Sequence, residues 1–228
     1  NVFRLSATFA EKIDRDAMQT ALDITVRRFP SIAVRVKAGA FWYYLEEIPS
    51  LPKILDEKPY PLARMSLFDI KKCAFRVLIY ENRVAAEFFH ALTDGNGGLI
   101  FLKSLLAEYL ERRYSVKIPA TDGVLDREEE PSPEELEDSF LEYAGAVSAP
   151  RQENDAWRVY GTREPDGFQH LTCLRLSAED ALAVAHRHGV SLTAYLAAVM
   201  PHGDVRLPGA GRHGRGDRHI AELGKIGL

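Results

Sequence analysis

Hydrophobic and polar positions alternate densely along residues 1–116 and lose that order afterwards. Val2 to Phe9 alternates well enough to predict a strand. From Ala10 to Arg28, the residues Ile13, Ala17, Ala21, Leu22, Ile24 and Val26 recur at helical spacing. Phe29-Pro30 ends that run, because the residue before a proline is pushed out of the helical region. Ile32–Val36 and Phe41–Leu45 read as the arms of a hairpin turning at Lys37-Ala38-Gly39-Ala40. A proline-rich extended passage follows, with Pro49, Pro52, Pro59 and Pro61. Ala74–Tyr80 and Val84–Phe89 predict a second hairpin about Glu81-Asn82-Arg83, and Leu99–Arg113 a long helix.

The pattern then changes. Between Asp122 and Asp138 stand nine acidic residues and one basic residue, Arg127. With Pro119, Pro131, Pro133 and Pro150 around them, residues 117–156 read as an exposed acidic linker. Ser132-Pro133-Glu134-Glu135 is a good start for a short helix inside it. Beyond the linker, Phe168–Leu176 predicts a strand and Ser177-Ala178-Glu179-Asp180 starts a helix that stops at Gly189. Ser191–Met200 begins another apolar helix, which Pro201-His202-Gly203 is expected to end. Residues 201–228 hold seven of the sixteen glycines and no aromatic residue, and are expected to be poorly ordered. The division is therefore an α/β region at 1–116, a linker at 117–156, the start of a second subdomain at 157–200, and an atypical tail.

Composition narrows the function. With 29 Lys and Arg against 33 Asp and Glu the net charge is −4, which argues against a general nucleic-acid binder. No apolar run approaches the ~20 residues needed to cross a bilayer. The N-terminal dozen mixes acidic and basic residues around no sustained apolar core, unlike a signal peptide. Cys73 and Cys173 lie 100 residues apart among apolar neighbours, which suits two buried thiols in a reducing, cytoplasmic setting. No metal site is expected from them, nor from His202, His213 and His219 in the tail.

The chemistry concentrates in Phe88-Phe89-His90-Ala91-Leu92-Thr93-Asp94-Gly95-Asn96-Gly97-Gly98. An apolar strand delivers one histidine where the chain leaves the sheet, and histidine is the side chain best matched to general-base work near neutral pH. Asp94 follows four residues later, and the glycines allow close backbone approach. The same string also arises as a strand-end histidine beside plain turn residues. A zinc site is a weaker reading, since no third ligand is nearby and H-E-x-x-H is absent. Elsewhere, His186 and His188 flank Arg187 at a helix end, where cations are favourable. Trp42, Tyr43 and Tyr44 read as core and sheet-surface residues, Tyr60 and Phe41 as candidate tunnel walls, and Trp157 and Tyr160 as seats for the linker's end.

This string resembles the H-x-x-x-D-G motif of the CoA-dependent acyltransferase superfamily, which includes chloramphenicol acetyltransferase, condensation domains, polyketide-associated acyltransferases and alcohol acetyltransferases. Ala21-Leu22, Arg28-Phe29-Pro30, Ile32, Pro61-Leu62-Ala63-Arg64 and the helix from Leu99 to Leu110 are similar to their surroundings there. The single His90 preceded by Phe89 departs from the H-H-x-x-x-D-G form of condensation domains and is closer to the alcohol-acetyltransferase and polyketide-associated types. The resemblance implies a chloramphenicol acetyltransferase-like α/β two-layer sandwich, a mixed sheet with helices on one face. It implies His90 as general base, Asp94 as a structural residue paired with an arginine, and Gly95 as the residue permitting the turn. Acyl-CoA or an acyl-carrier thioester is the expected donor, and a small alcohol or amine the acceptor, with no bound cofactor, nucleic acid or integral membrane segment. It covers 1–116 well and 157–200 loosely, and the D-F-G-W-G-type motif of the second half is absent. The alternative is an inactive truncated half, or a non-catalytic condensation-like binding module.

Overall fold

Strand β1 (Val2–Thr8) alternates Phe3, Leu5 and Ala7 against Arg4, Ser6 and Thr8, which puts one apolar row toward the core. The computed structural model describes residues 2–58, 61–137, 165 and 175–205, with backbone alone at 200–205. The chain divides into two units, Asn1–Val147 and Ser148–Leu228.

In the first unit, helix α1 (Arg15–Arg28) starts five residues later than its apolar spacing suggests. The reason is Asp14, whose carboxylate accepts from the N–H groups of Asp16 and Ala17 and so caps the first turn. Ile32 and Ala33 do not enter a strand. Their N–H groups both donate to the Phe29 carbonyl, and their side chains seal the end of the core. The first hairpin is therefore shifted by two residues, to β2 (Val34–Ala38) and β3 (Tyr43–Glu47), turning where Gly39 N–H donates to Trp42 O. Two short elements have no signal in the sequence pattern: β4 (Leu55–Asp56), and α2 (Leu67–Ile70), where Ser66 and Asp69 form a capping box.

The second hairpin lies where its alternation puts it, as β5 (Phe75–Tyr80) and β6 (Arg83–Phe89). The sheet order is β1-β6-β5-β4, antiparallel except for the parallel pair β4–β5, so the sheet is mixed. Helix α3 (Gly95–Tyr114) begins four residues before Leu99. Met18, Leu22 and Val26 of α1, Phe101, Leu105 and Tyr109 of α3, and Phe75, Val77, Val84, Ala86 and Phe88 of the sheet form one core. The fold of this unit is thus α/β, with both long helices on one face of a mixed sheet.

The acidic segment, as far as it is described, is fastened to that body instead of hanging free. Arg127 pairs with Glu108 at 3.2 Å and with Glu111 at 2.8 Å, both on α3. Leu125 N–H donates to Ser104 Oγ at 3.0 Å. The buried guanidinium of Arg28 donates to both carboxylate oxygens of Glu135, at 2.6 and 3.0 Å, on the short helix α4 (Pro133–Leu136). A run read as a solvated connector owes this attachment to arginine and hydroxyl contacts that no local pattern displays.

In the second unit, α5 (Ala178–Arg187) starts from Ser177, whose Oγ accepts from Asp180 N–H, and ends before Gly189 as expected. His186 and Arg187 occupy its last turn, and His188 stacks on Tyr195 at 5.8 Å between ring centroids. Helix α6 (Leu192–Val205) runs past Met200 instead of ending there. Pro201 removes one backbone donor, and the turn around it keeps helical backbone. Arg175 and Leu176 are not in a strand, and the rest of the expected strand from Phe168 lies outside the described residues, as do Tyr60, Cys173, Trp157, Tyr160, His213, His219 and residues 206–228.

Candidate functional site

The last residues of β6 carry opposite chemistries on opposite faces. Phe88 is fully buried in the core, and Glu87 is fully buried on the other side of the sheet. His90 is the first residue past the strand and is exposed. Its ring lies against Phe3 of β1, with centroids 4.9 Å apart and planes at 57°, and Phe3 in turn stacks on Phe88 at 5.2 Å. The imidazole thus has one apolar wall and one side open to solvent.

Leu92 N–H donates to Phe89 O at 2.9 Å, which folds the chain back immediately after the histidine. Asp94 then caps α3: its Oδ1 accepts from Gly97 N–H at 2.8 Å, while its carbonyl accepts from Gly98 N–H at 3.1 Å. Among the described residues no arginine pairs with Asp94; its carboxylate serves the helix. Gly95 opens the helix with open space where a Cβ would stand. Two positions are tight: at Gly97 a Cβ would overlap the Thr93 hydroxyl, and at Gly98 it would lie 2.9 Å from the Phe3 ring and 3.2 Å from the Phe88 ring. Glycine there lets α3 settle onto the same two rings that seat His90. This explains why the helix takes in Gly-Asn-Gly-Gly despite its poor helix propensity.

Sequence reading singled out His90, Asp94 and Gly95, and the fold brings them into one strand–turn–helix. It did not find Phe3 or the ion network under the strand end. Glu87 accepts from Arg4 Nη1 at 2.9 Å, Arg76 Nε at 2.8 Å and the Leu62 backbone N–H at 2.9 Å. Arg4 and Arg83 also reach Glu57, at 2.5 and 2.8 Å, and Ala63 O accepts from Arg76. The turn Pro61-Leu62-Ala63-Arg64 is therefore pinned beneath the strand that delivers the histidine, with Leu62 in the left-handed region at φ 58°. Burial pushes the Glu87 carboxyl up, and the donors from Arg4, Leu62 and Arg76 outweigh it, so the group lies below its ordinary value. A lone carboxylate in the apolar run Val84-Ala85-Ala86-Glu87-Phe88-Phe89 was the available signal.

Cys73 is partly buried and its thiol is pushed up by burial, so it has no role as a ready nucleophile. Among the described residues no group of three His, Cys, Asp or Glu side chains is placed to hold a metal ion. No described helix is long and apolar enough to cross a membrane. Trp42 and Tyr43 are not core residues; they stand exposed on the first hairpin, as does Phe41.

No protein-family model matches the chain, and no curated protein sequence does. Solved structures do. Polyketide synthase associated protein 5 from Mycobacterium tuberculosis is similar over 90% of this chain and 52% of that one, at 16% identity and a TM-score of 0.54. The SgcC5 protein from Streptomyces globisporus matches 54% of this chain and 32% of that one, at 15% identity and a TM-score of 0.41. The starter condensation domain of rhizomide synthetase matches 53% and 34%, at 10% identity and a TM-score of 0.40. The chain therefore spans from about a third to about half of the length of these proteins. At such identities the likeness is one of fold, carried by the polyketide synthase associated protein: a mixed α/β fold with a sheet and helices of that kind.

Proposed function

We propose that this chain carries the base of an acyl transfer reaction, with His90 taking a proton from a hydroxyl or amine acceptor as that group attacks a thioester carbonyl. The new C–O or C–N bond forms as the C–S bond breaks, and the departing thiolate receives the proton from the imidazolium. Acyl-CoA is the proposed donor, an acyl-carrier thioester its counterpart, and a small alcohol the preferred acceptor. The single observation behind this reading is the exposed imidazole at the end of β6, braced by Phe3 and followed at once by the Asp94-capped helix. Phe89 in place of a second histidine supports the alcohol-acetyltransferase or polyketide-associated type. Neither cysteine adjoins the motif, so no acyl-enzyme step is included. The test is acyl transfer from acyl-CoA to short alcohols by the whole chain and its H90A variant. A fall of about 10²–10⁴-fold is expected; an unchanged rate overturns the assignment.

A second reading rests on the exposed side of His90, which faces solvent opposite its Phe3 wall. It is a non-catalytic module that holds a thioester or a partner without turning it over. Saturable acyl-CoA binding with no transfer by either parent or H90A chain selects it.

A further inference from the structure

The first hairpin and α2 together expose large apolar side chains that the core does not use. Phe41 is 90% exposed, Trp42 67%, Tyr43 64%, Leu67 63% and Phe68 66%. Tyr43, Tyr44 and Leu45 meet Leu67, Ile70 and Lys71 across a cleft of about 300 Å³ that Val36 and Phe89 also line, with Phe41 and Trp42 next along the hairpin and Phe68 next along α2. Scattered apolar residues are normal on a surface, whereas a contiguous set of this size marks a contact site. Its charged groups are of both signs, with Glu47 exposed at the far end of β3. Glu46 is tied up by Arg35 and Lys37, and Asp69 by the α2 cap, while Lys71 and Lys72 project beside Leu67 and Phe68, with the Lys72 ammonium 4.0 Å from the Phe68 ring. The acidic excess of the chain lies elsewhere, at Asp122–Asp138.

We propose that this face seats the protein on an anionic lipid surface, with Phe41 and Trp42 entering the headgroup region and Lys71 and Lys72 facing lipid phosphates. Tryptophan, tyrosine and phenylalanine at the tip with lysines behind are the combination suited to such an interface, one end apolar and the other wet. A hairpin tip offers these side chains without local unfolding. The inference does not rest on the acyl-transfer reading, and His90 is untouched by its variants.

The test is co-sedimentation of the whole chain with vesicles of phosphatidylcholine alone or mixed with phosphatidylglycerol. Binding is expected to the mixed vesicles and to weaken with salt. Phe41→Ser with Trp42→Ser should lower partitioning at least tenfold, and Lys71→Gln and Lys72→Gln about fivefold each. In the Trp157→Phe chain, Trp42 fluorescence should shift to the blue and be quenched by lipids brominated in their acyl chains, a readout that needs no change to the hairpin. No vesicle binding, binding indifferent to the hairpin pair, or an unquenched Trp42 overturns the proposal. So does a dimer in light scattering that the hairpin pair dissolves, since the occupant would then be a second copy.

Discussion

The two faces of the β1-β6-β5 sheet are made from the same strands and held by opposite physics. On the helix side, Phe3, Phe75, Phe88 and Phe101 pack ring against ring, with centroid spacings of 5.2–6.2 Å, and no charge intrudes. On the other side Glu87 and Glu57 are threaded between Arg4, Arg76 and Arg83. The aromatic face gains from area removed from water and from dispersion, so it tolerates pH but not lost volume. The ionic face is worth little over an apolar replacement, yet losing one partner leaves a buried charge exposed to nothing. The difference shows what each can specify. The aromatic face seats His90 and α3, and the ionic face fixes which turn lies under the strand end.

The sharpest way to separate the faces is to damage each once. Glu87→Ala takes the carboxylate from Arg76, leaves Arg4 to Glu57 alone, and should cost about 3–5 kcal/mol in urea unfolding. Phe88→Ala should cost a similar ~3–5 kcal/mol by opening a cavity. Acid then distinguishes them. Because Glu87 in the folded state is held below its ordinary value, its contribution is present above the unfolded carboxylate range and is lost as pH falls through the folded value. Melting temperature against pH should therefore drop below about pH 5 in the parent and in Phe88→Ala, and drop less steeply in Glu87→Ala. Equal slopes would mean the network does not set acid stability.

Smaller changes probe the fastening of the acidic segment and the helix start. Arg28→Ala removes two charge-assisted bonds to Glu135 and should cost about 1.5–3 kcal/mol, with faster proteolysis near Arg127. Unaltered cleavage would show that the Arg127 contacts suffice alone. Asp94→Ala should cost about 1 kcal/mol, visible as faster amide exchange at Gly97 and Gly98. Gly95→Ala, at an open helical position, should gain about 0.4–1 kcal/mol, whereas Gly98→Ala should destabilise because Phe3 and Phe88 fill its Cβ site. The reverse order would remove the close approach from the account of why the motif is glycine-rich.

These contrasts also mark what the amino-acid pattern could and could not convey. β5, β6 and β1 were legible because each alternates with period two and Glu81-Asn82 turns the hairpin. The first hairpin was displaced because Ile32 and Ala33 are apolar for a different reason, closing the end of the core. Periodicity does not say what an apolar residue covers, so Trp42 and Tyr43 read as core and sheet-surface residues, and only the surface part of that reading holds. α3 began early because a cap and a close approach outweighed poor propensity; the cap is local, and the approach to Phe3 is not. At the site, the strand-end histidine and the helix after it were legible. Phe3 was not, since it lies 87 residues from His90 and meets it only through pairing of β1 with β6.

That pairing has a kinetic meaning. Val2 lies opposite Phe89, so β1 leaves the ribosome first and finds its neighbour only after the whole of β6 has followed. Contacts of such separation close late and slowly. The first hairpin, whose two strands are neighbours in sequence, has no such wait. The seat of His90, built from residue 3 and residue 88, is therefore assembled late, once β6 has paired with β1, and the histidine it holds follows Phe88 by only two residues.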